Sequence, residues 1–128
     1  MITITQATEI TAQQVADLMV TAFEGGSGYW CGVQSYTLKR PAIPGRDEPW
    51  YADPNTWSNP FSIVFYDIED EAETWTLDNQ KLAEGLKAYA QAYPEALARD
   101  FTEDGYEGDA DDADTALQMI LFGKLVYG

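Results

Sequence analysis

The residues best suited to chemistry lie in one short run, 22–31, which reads Ala-Phe-Glu-Gly-Gly-Ser-Gly-Tyr-Trp-Cys. Gly25, Gly26 and Gly28 lack a Cβ, so the chain there can take left-handed conformations and approach another group closely. Unbonded N–H groups in such a turn would form a nest for a phosphate or carboxylate. Ser27 adds a hydroxyl, Glu24 a carboxylate, and Tyr29 and Trp30 an aromatic wall. Two readings fit. In the first, the glycines cap a helix and the aromatics enter the core. In the second, Glu24, Gly25, Gly26, Ser27, Tyr29 and Trp30, closed by Gly123 and Tyr127 or by a second subunit, hold a small nucleotide-type ligand, with Lys39, Arg40, Arg46 and Lys124 as its basic corner.

Known phosphate motifs do not match. A P-loop ends in Gly-Lys-Ser or Gly-Lys-Thr, and a dinucleotide fingerprint follows a strand and opens a helix, whereas these glycines close one. Catalysis has few other footholds. The chain has no histidine and one cysteine, Cys31, which excludes histidine triads, imidazole acid–base chemistry and an internal disulfide, and leaves almost no route to a zinc site. Beside Trp30, Cys31 reads as a small buried hydrophobe in a reducing compartment. Carboxylate pairs arise by chance among 22 acids, and Glu24 is the one acid whose neighbours suggest a concave site. The expectation is a protein that is not an enzyme and has no cofactor. A calcium loop is partly matched, with Asp100, Thr102, Asp104, Gly105 and Tyr106 at positions one, three, five, six and seven. Asp111 then stands where a bidentate glutamate belongs, and Glu107 occupies a usually apolar position. An acidic helix entry explains these residues better, and no metal is expected.

Charge gives the broadest exclusion. The 22 acids face seven bases, a formal net charge of −15. Such a field repels nucleic-acid backbones and anionic membranes and steers basic partners inward, and the same acidity serves solubility. Direct nucleic-acid and membrane binding are therefore not expected. The acids concentrate in two runs that would form a partner-binding face, 67–73 with Asp67, Glu69, Asp70, Glu71 and Glu73, then 103–114 with Glu103, Asp104, Glu107, Asp109, Asp111, Asp112 and Asp114. Between them and the glycine run lies a proline-rich stretch, 39–60, carrying Trp50, Tyr51 and Trp57. Aromatics in a loop either pin it to the core or anchor a partner. Residues 1–5 have neither a basic start nor a long apolar core, so no signal peptide is expected, and no apolar run has membrane-spanning length. The expected location is the cytoplasm.

These residues need a scaffold, and 128 residues suit one compact domain, 1–128. Alternation predicts strands over 2–6, 30–38, 61–68 and 74–77, the last two joined by the first acidic run. A helix capped by Thr8 or Thr11 should run to about Phe23. Asp78 caps a second, whose stripe is Leu82, Leu86, Tyr89 and Tyr93, with Gly85 either weakening it slightly or letting a neighbour pack close; a shorter helix follows over 95–100. A last helix over 111–122 buries Ala113, Leu117, Ile120 and Leu121, and Gly123 ends it. Residues 125–127 add a strand or simply pack. The predicted fold is α+β, a small antiparallel sheet with about three packed helices and the aromatic loop tied across one edge.

Three segments carry a resemblance. Glu-Gly-Gly-Ser-x-Tyr-Trp at 24–30, the acidic hairpin and helix over 68–93, and the closing 112–128 with Leu-Phe-Gly-Lys-Leu-Val-Tyr-Gly resemble a family of small uncharacterised acidic phage and prophage proteins. No residue roles transfer from that family. The resemblance implies a context, a phage accessory protein among which inhibitors of host defence are common. The expected function is thus binding to a basic surface on a host protein through an acidic, nucleic-acid-mimicking face, as anti-CRISPR and anti-restriction proteins do. The alternative is a sponge that sequesters a nucleotide-type immune signal. Sequence sets no oligomeric state.

Overall fold

The structure, a computed structural model, describes residues 9–39 and 48–128. The strand expected over 2–6, Thr8 as a cap, Pro41, Pro44, Gly45 and Asp47, and the bases Arg40 and Arg46 lie outside the described residues.

Three strands, β1 (Cys31–Leu38), β2 (Phe61–Asp67) and β3 (Thr74–Asp78), form an antiparallel sheet in the order β1-β2-β3. Alternation sets its inner face. Phe61, Ile63 and Phe65 of β2 are buried, and Val64 and Tyr66 on the opposite face are half-buried. Around this sheet pack α1 (Ala12–Thr21), α3 (Asn79–Ala92) and α5 (Ala110–Phe122), with shorter helices α2 (Pro54–Ser58) and α4 (Pro94–Asp100). The architecture is α+β, with one hydrophobic core shared by all of these elements.

Local signals explain most boundaries. Thr11 caps α1, its hydroxyl accepting from Gln14 N–H while the Gln14 side chain accepts from Thr11 N–H. Asp78 caps α3 by accepting from Lys81 N–H, and Gly123 closes α5. A Cβ on Gly85 would run into the backbone of Ile120, so glycine there sets the close crossing of α3 on α5.

The structure departs from expectation in three places. Instead of stopping at a left-handed glycine, α1 widens into a π-type turn (Ala22–Gly26), closed by Ser27 N–H donating to Ala22 C=O. None of Gly25, Gly26 and Gly28 has positive φ, because the constraint there is tertiary. A Cβ on Gly26 would strike the Ala110 carbonyl at the start of α5. Second, the proline-rich stretch holds a 3₁₀ turn (Trp50–Ala52) and α2, started by Asp53 as cap and Pro54 in the first turn. Third, the partial calcium-loop match is folded into a tight hairpin, β4 (Phe101–Thr102) against β5 (Gly105–Tyr106).

Candidate functional site

The glycine turn is held by one carboxylate that the sequence assigns to the end of the second acidic run, on a partner-binding face. Asp114, one turn into α5, accepts from the Ser27 hydroxyl at 2.8 Å, the Trp30 indole N–H at 2.7 Å and the Tyr29 hydroxyl at 2.7 Å. Gln118, four residues on, donates to the same carboxylate at 3.1 Å. A carboxylate has lone pairs for all four donors, and hydrogen bonds to a charged acceptor are the stronger kind. Partial burial and the neighbouring carboxylate push the Tyr29 phenol up to about 12. The amides of Ser27, Trp30 and Cys31 are bonded within the turn itself, so they are not offered to an anion. The signal for Asp114 was a pair of polar residues four apart on an otherwise apolar helix face.

The side of the turn facing α5 and the chain's last residues is closed. Tyr127 stacks on Trp30 with ring centroids 4.7 Å apart, and Trp75 and Phe122 complete the cluster. Gln118 clamps the tail, its Oε1 accepting from Val126 and Tyr127 N–H while its Nε2 donates to Tyr127 C=O. The Tyr127 hydroxyl donates to Asp67 at 2.7 Å, which helps hold the Asp67 carboxyl below its usual range. The pocket expected from Ser27, Tyr29, Trp30 and Tyr127 is therefore filled by the protein's own rings, and Gly26 is taken up by its contact with Ala110. These residues form a packed junction of the fold. Of the expected basic corner, Lys39 lies at the far end of β1, roughly 25 Å along the strand, and Lys124 is exposed just after α5.

On its other side the turn opens. A cleft of about 220 Å³ lies between Ser27, Gly28, Phe23, Phe65 and the ring pair Trp50 and Tyr51. The Tyr51 hydroxyl donates to Glu24 at 2.7 Å, which ties that carboxylate to one wall of the cleft; burial and that carboxylate push the phenol up to about 12. Trp50 stacks on Tyr36 of β1 at 4.3 Å, tying the loop across the sheet edge. Trp57 does not serve as an anchor for a partner. It is buried against Phe61, and its indole N–H donates to Tyr51 C=O, so it holds the ring pair in place from below. Cys31 also lines the cleft; burial first, then Asp114 and Asp67, push its thiol up to about 12, far from a reactive thiolate.

The acids divide into two sets. Glu69, Asp70, Glu71 and Glu73 in the β2–β3 loop are exposed, as are Glu103 and Asp104 in the β4–β5 turn, Glu107 and Asp111. Asp109 and Asp112 are exceptions: they form the capping box of α5, and Asp112 also meets Arg99 at 2.9 Å. Their charge is committed to the helix. Asp100 is buried and gripped by the Arg99 guanidinium, so it is not aimed into a calcium loop. Among the described residues, no three histidine, cysteine or acidic side chains group to hold a metal ion, and no helix is long and apolar enough to cross a membrane. Comparison of the chain with protein-family models, curated proteins and solved structures returns no match.

Proposed function

We propose that this is a non-enzymatic binding protein that occupies a basic, nucleic-acid-handling surface on a host protein, a phage-type inhibitor of host defence acting in the host cytoplasm. One observation carries the reading. The exposed acids at 69–73, 103–104, 107 and 111 have no lysine or arginine partner among the described residues, where the ion pairs seen join Arg99 to Asp100 and Asp112. Charge left unneutralised at the surface is available to a basic partner and steers its approach. The resemblance to acidic phage proteins supplies the context.

The sponge alternative is less well supported. The cleft is smaller than the roughly 300–1,000 Å³ of typical small-molecule pockets, and no base lines it among the described residues.

The test is displacement of labelled DNA from a panel of purified restriction and CRISPR nucleases. The protein should release DNA from at least one of them, with an association rate that falls roughly tenfold or more as salt is raised. Reversing the charge of Glu69, Asp70, Glu71 and Glu73 to lysine should abolish release. No release from any nuclease, or release indifferent to salt and to charge reversal, overturns the proposal.

A further inference from the structure

The open cleft beside the glycine turn combines three features. Its walls are aromatic, from Phe23, Phe65, Trp50 and Tyr51. A carboxylate, Glu24, accepts from the hydroxyl of Tyr51, one of its walls, and no lysine or arginine is among its lining residues that the structure describes. Its volume, about 220 Å³, suits one side chain better than a whole ligand.

We propose that this cleft receives one arginine side chain of the basic partner, the guanidinium lying against the aromatic rings and pairing with Glu24. The inference rests on the reading just given and names the contact that would give it specificity. Aromatic faces carry negative potential and attract a cation, and among cations guanidinium is planar, weakly hydrated and stacks on rings. An aliphatic or aromatic occupant would leave Glu24 unused, and an anion would be repelled by it and by the net charge of −15. The raised Cys31 thiol is in keeping with this, since Asp114 and Asp67 contribute to the shift. The exposed acids at 69–73 would bring the partner in, and a buried aromatic-lined slot is where interface energy concentrates.

Nuclear magnetic resonance of the full chain tests this directly. The Trp50 indole signal, identified by its loss in Trp50→Phe, is followed during titration with the peptide acetyl-Gly-Gly-Arg-Gly-Gly-amide. The same peptide with citrulline in place of arginine keeps the shape and removes the charge. The arginine peptide should move the Trp50 signal in a saturable way, the citrulline peptide binding roughly fivefold more weakly. In Glu24→Gln, an exposed position whose change leaves the core intact, that preference should shrink. Three outcomes overturn the proposal. One is equal binding of the two peptides; another is a response confined to residues 69–73 with Trp50 unmoved. The third is a Trp50 response to nucleotides and none to arginine, which would reinstate a sponge. Charge reversal of 69–73 separates the two proposals: it should abolish DNA displacement and leave the Trp50 response to the peptide in place.

Discussion

The two sides of the 27–30 turn differ in how completely their polar groups and rings are spoken for. Toward α5, Asp114 collects four donors, Trp30 is covered by Tyr127, and Gly26 touches the Ala110 backbone. Toward Trp50 and Tyr51, a cleft stays open, and a Cβ built on Gly28 would meet nothing within 4 Å. One short segment thus serves packing with one flank and leaves the other open. A ligand site is legible as spare capacity, and the α5 side has none.

The largest effect that would break this contrast is loss of the carboxylate. Asp114→Ala strands the buried Ser27 hydroxyl and Trp30 indole N–H and should destabilise the fold by about 3 kcal/mol in urea titration. Asp114→Asn, which keeps an acceptor, should cost clearly less. Equal, small losses for both would show that the junction is not organised by this side chain. Next come the glycines. Gly26→Ala must push against the Ala110 carbonyl and should cost about 1–3 kcal/mol, whereas Gly28→Ala should stay within about 0.5 kcal/mol. If Gly28→Ala proves the costlier of the two, the sides have been assigned the wrong way round.

Both glycines look alike in sequence, and the reason explains what was legible. Periodicity is local, so β2, β3, α3 and α5 and their buried stripes could be read directly, as could the caps at Thr11 and Asp78. The α+β class follows from those elements. The site depends on contacts 84 to 87 positions apart, between Asp114 and Ser27, Tyr29 and Trp30, and no local pattern encodes them. Left-handed glycines were expected because a helix end ordinarily needs one. Here the π-type turn ends the helix and glycine answers a tertiary contact instead. α2 was missed in the proline-rich stretch although Asp53-Pro54 is a cap followed by a first-turn proline, a signal masked by the density of prolines around it. Trp57 could not be told from Trp50 by type, and only burial separates the inner ring from the cleft ring.

Alkaline pH probes both sides of the turn, the closed one through Tyr29 and Tyr127 and the cleft through Cys31. Tyr29 and Tyr127 are raised from 10.0, and Cys31 from 9.0, each to about 12. The folded protein therefore holds protons that the unfolded chain has released. Stability contributed by these groups is complete below about pH 9 and is lost as pH rises from there through 12. The urea midpoint should fall steadily over that window. In Tyr127→Phe, which keeps the stack on Trp30 and removes the hydroxyl, the fall should be shallower. A midpoint flat from pH 9 to 11 would mean that the junction is looser than its hydrogen bonds imply.

The smallest effects belong to the acids and decide what the charge is for. Asp109 is bonded into the cap of α5, and those bonds hold its carboxyl below the usual 3.8. Its contribution is present above that value and is lost as pH falls through the lower folded one. Asp109→Asn, which still caps, should leave the urea midpoint at pH 7 nearly unchanged, and Asp109→Ala should lower it measurably. Lysine at Glu69, Glu71 and Glu73 should leave that midpoint unchanged or raise it. These side chains are exposed and add little packing, so relief of self-repulsion in a chain of net charge −15 dominates. A midpoint that rises would mean that these acids serve something other than the fold, a partner or solubility. A clear fall in the midpoint would remove that inference, since the acids would then be structural, as Asp109 is.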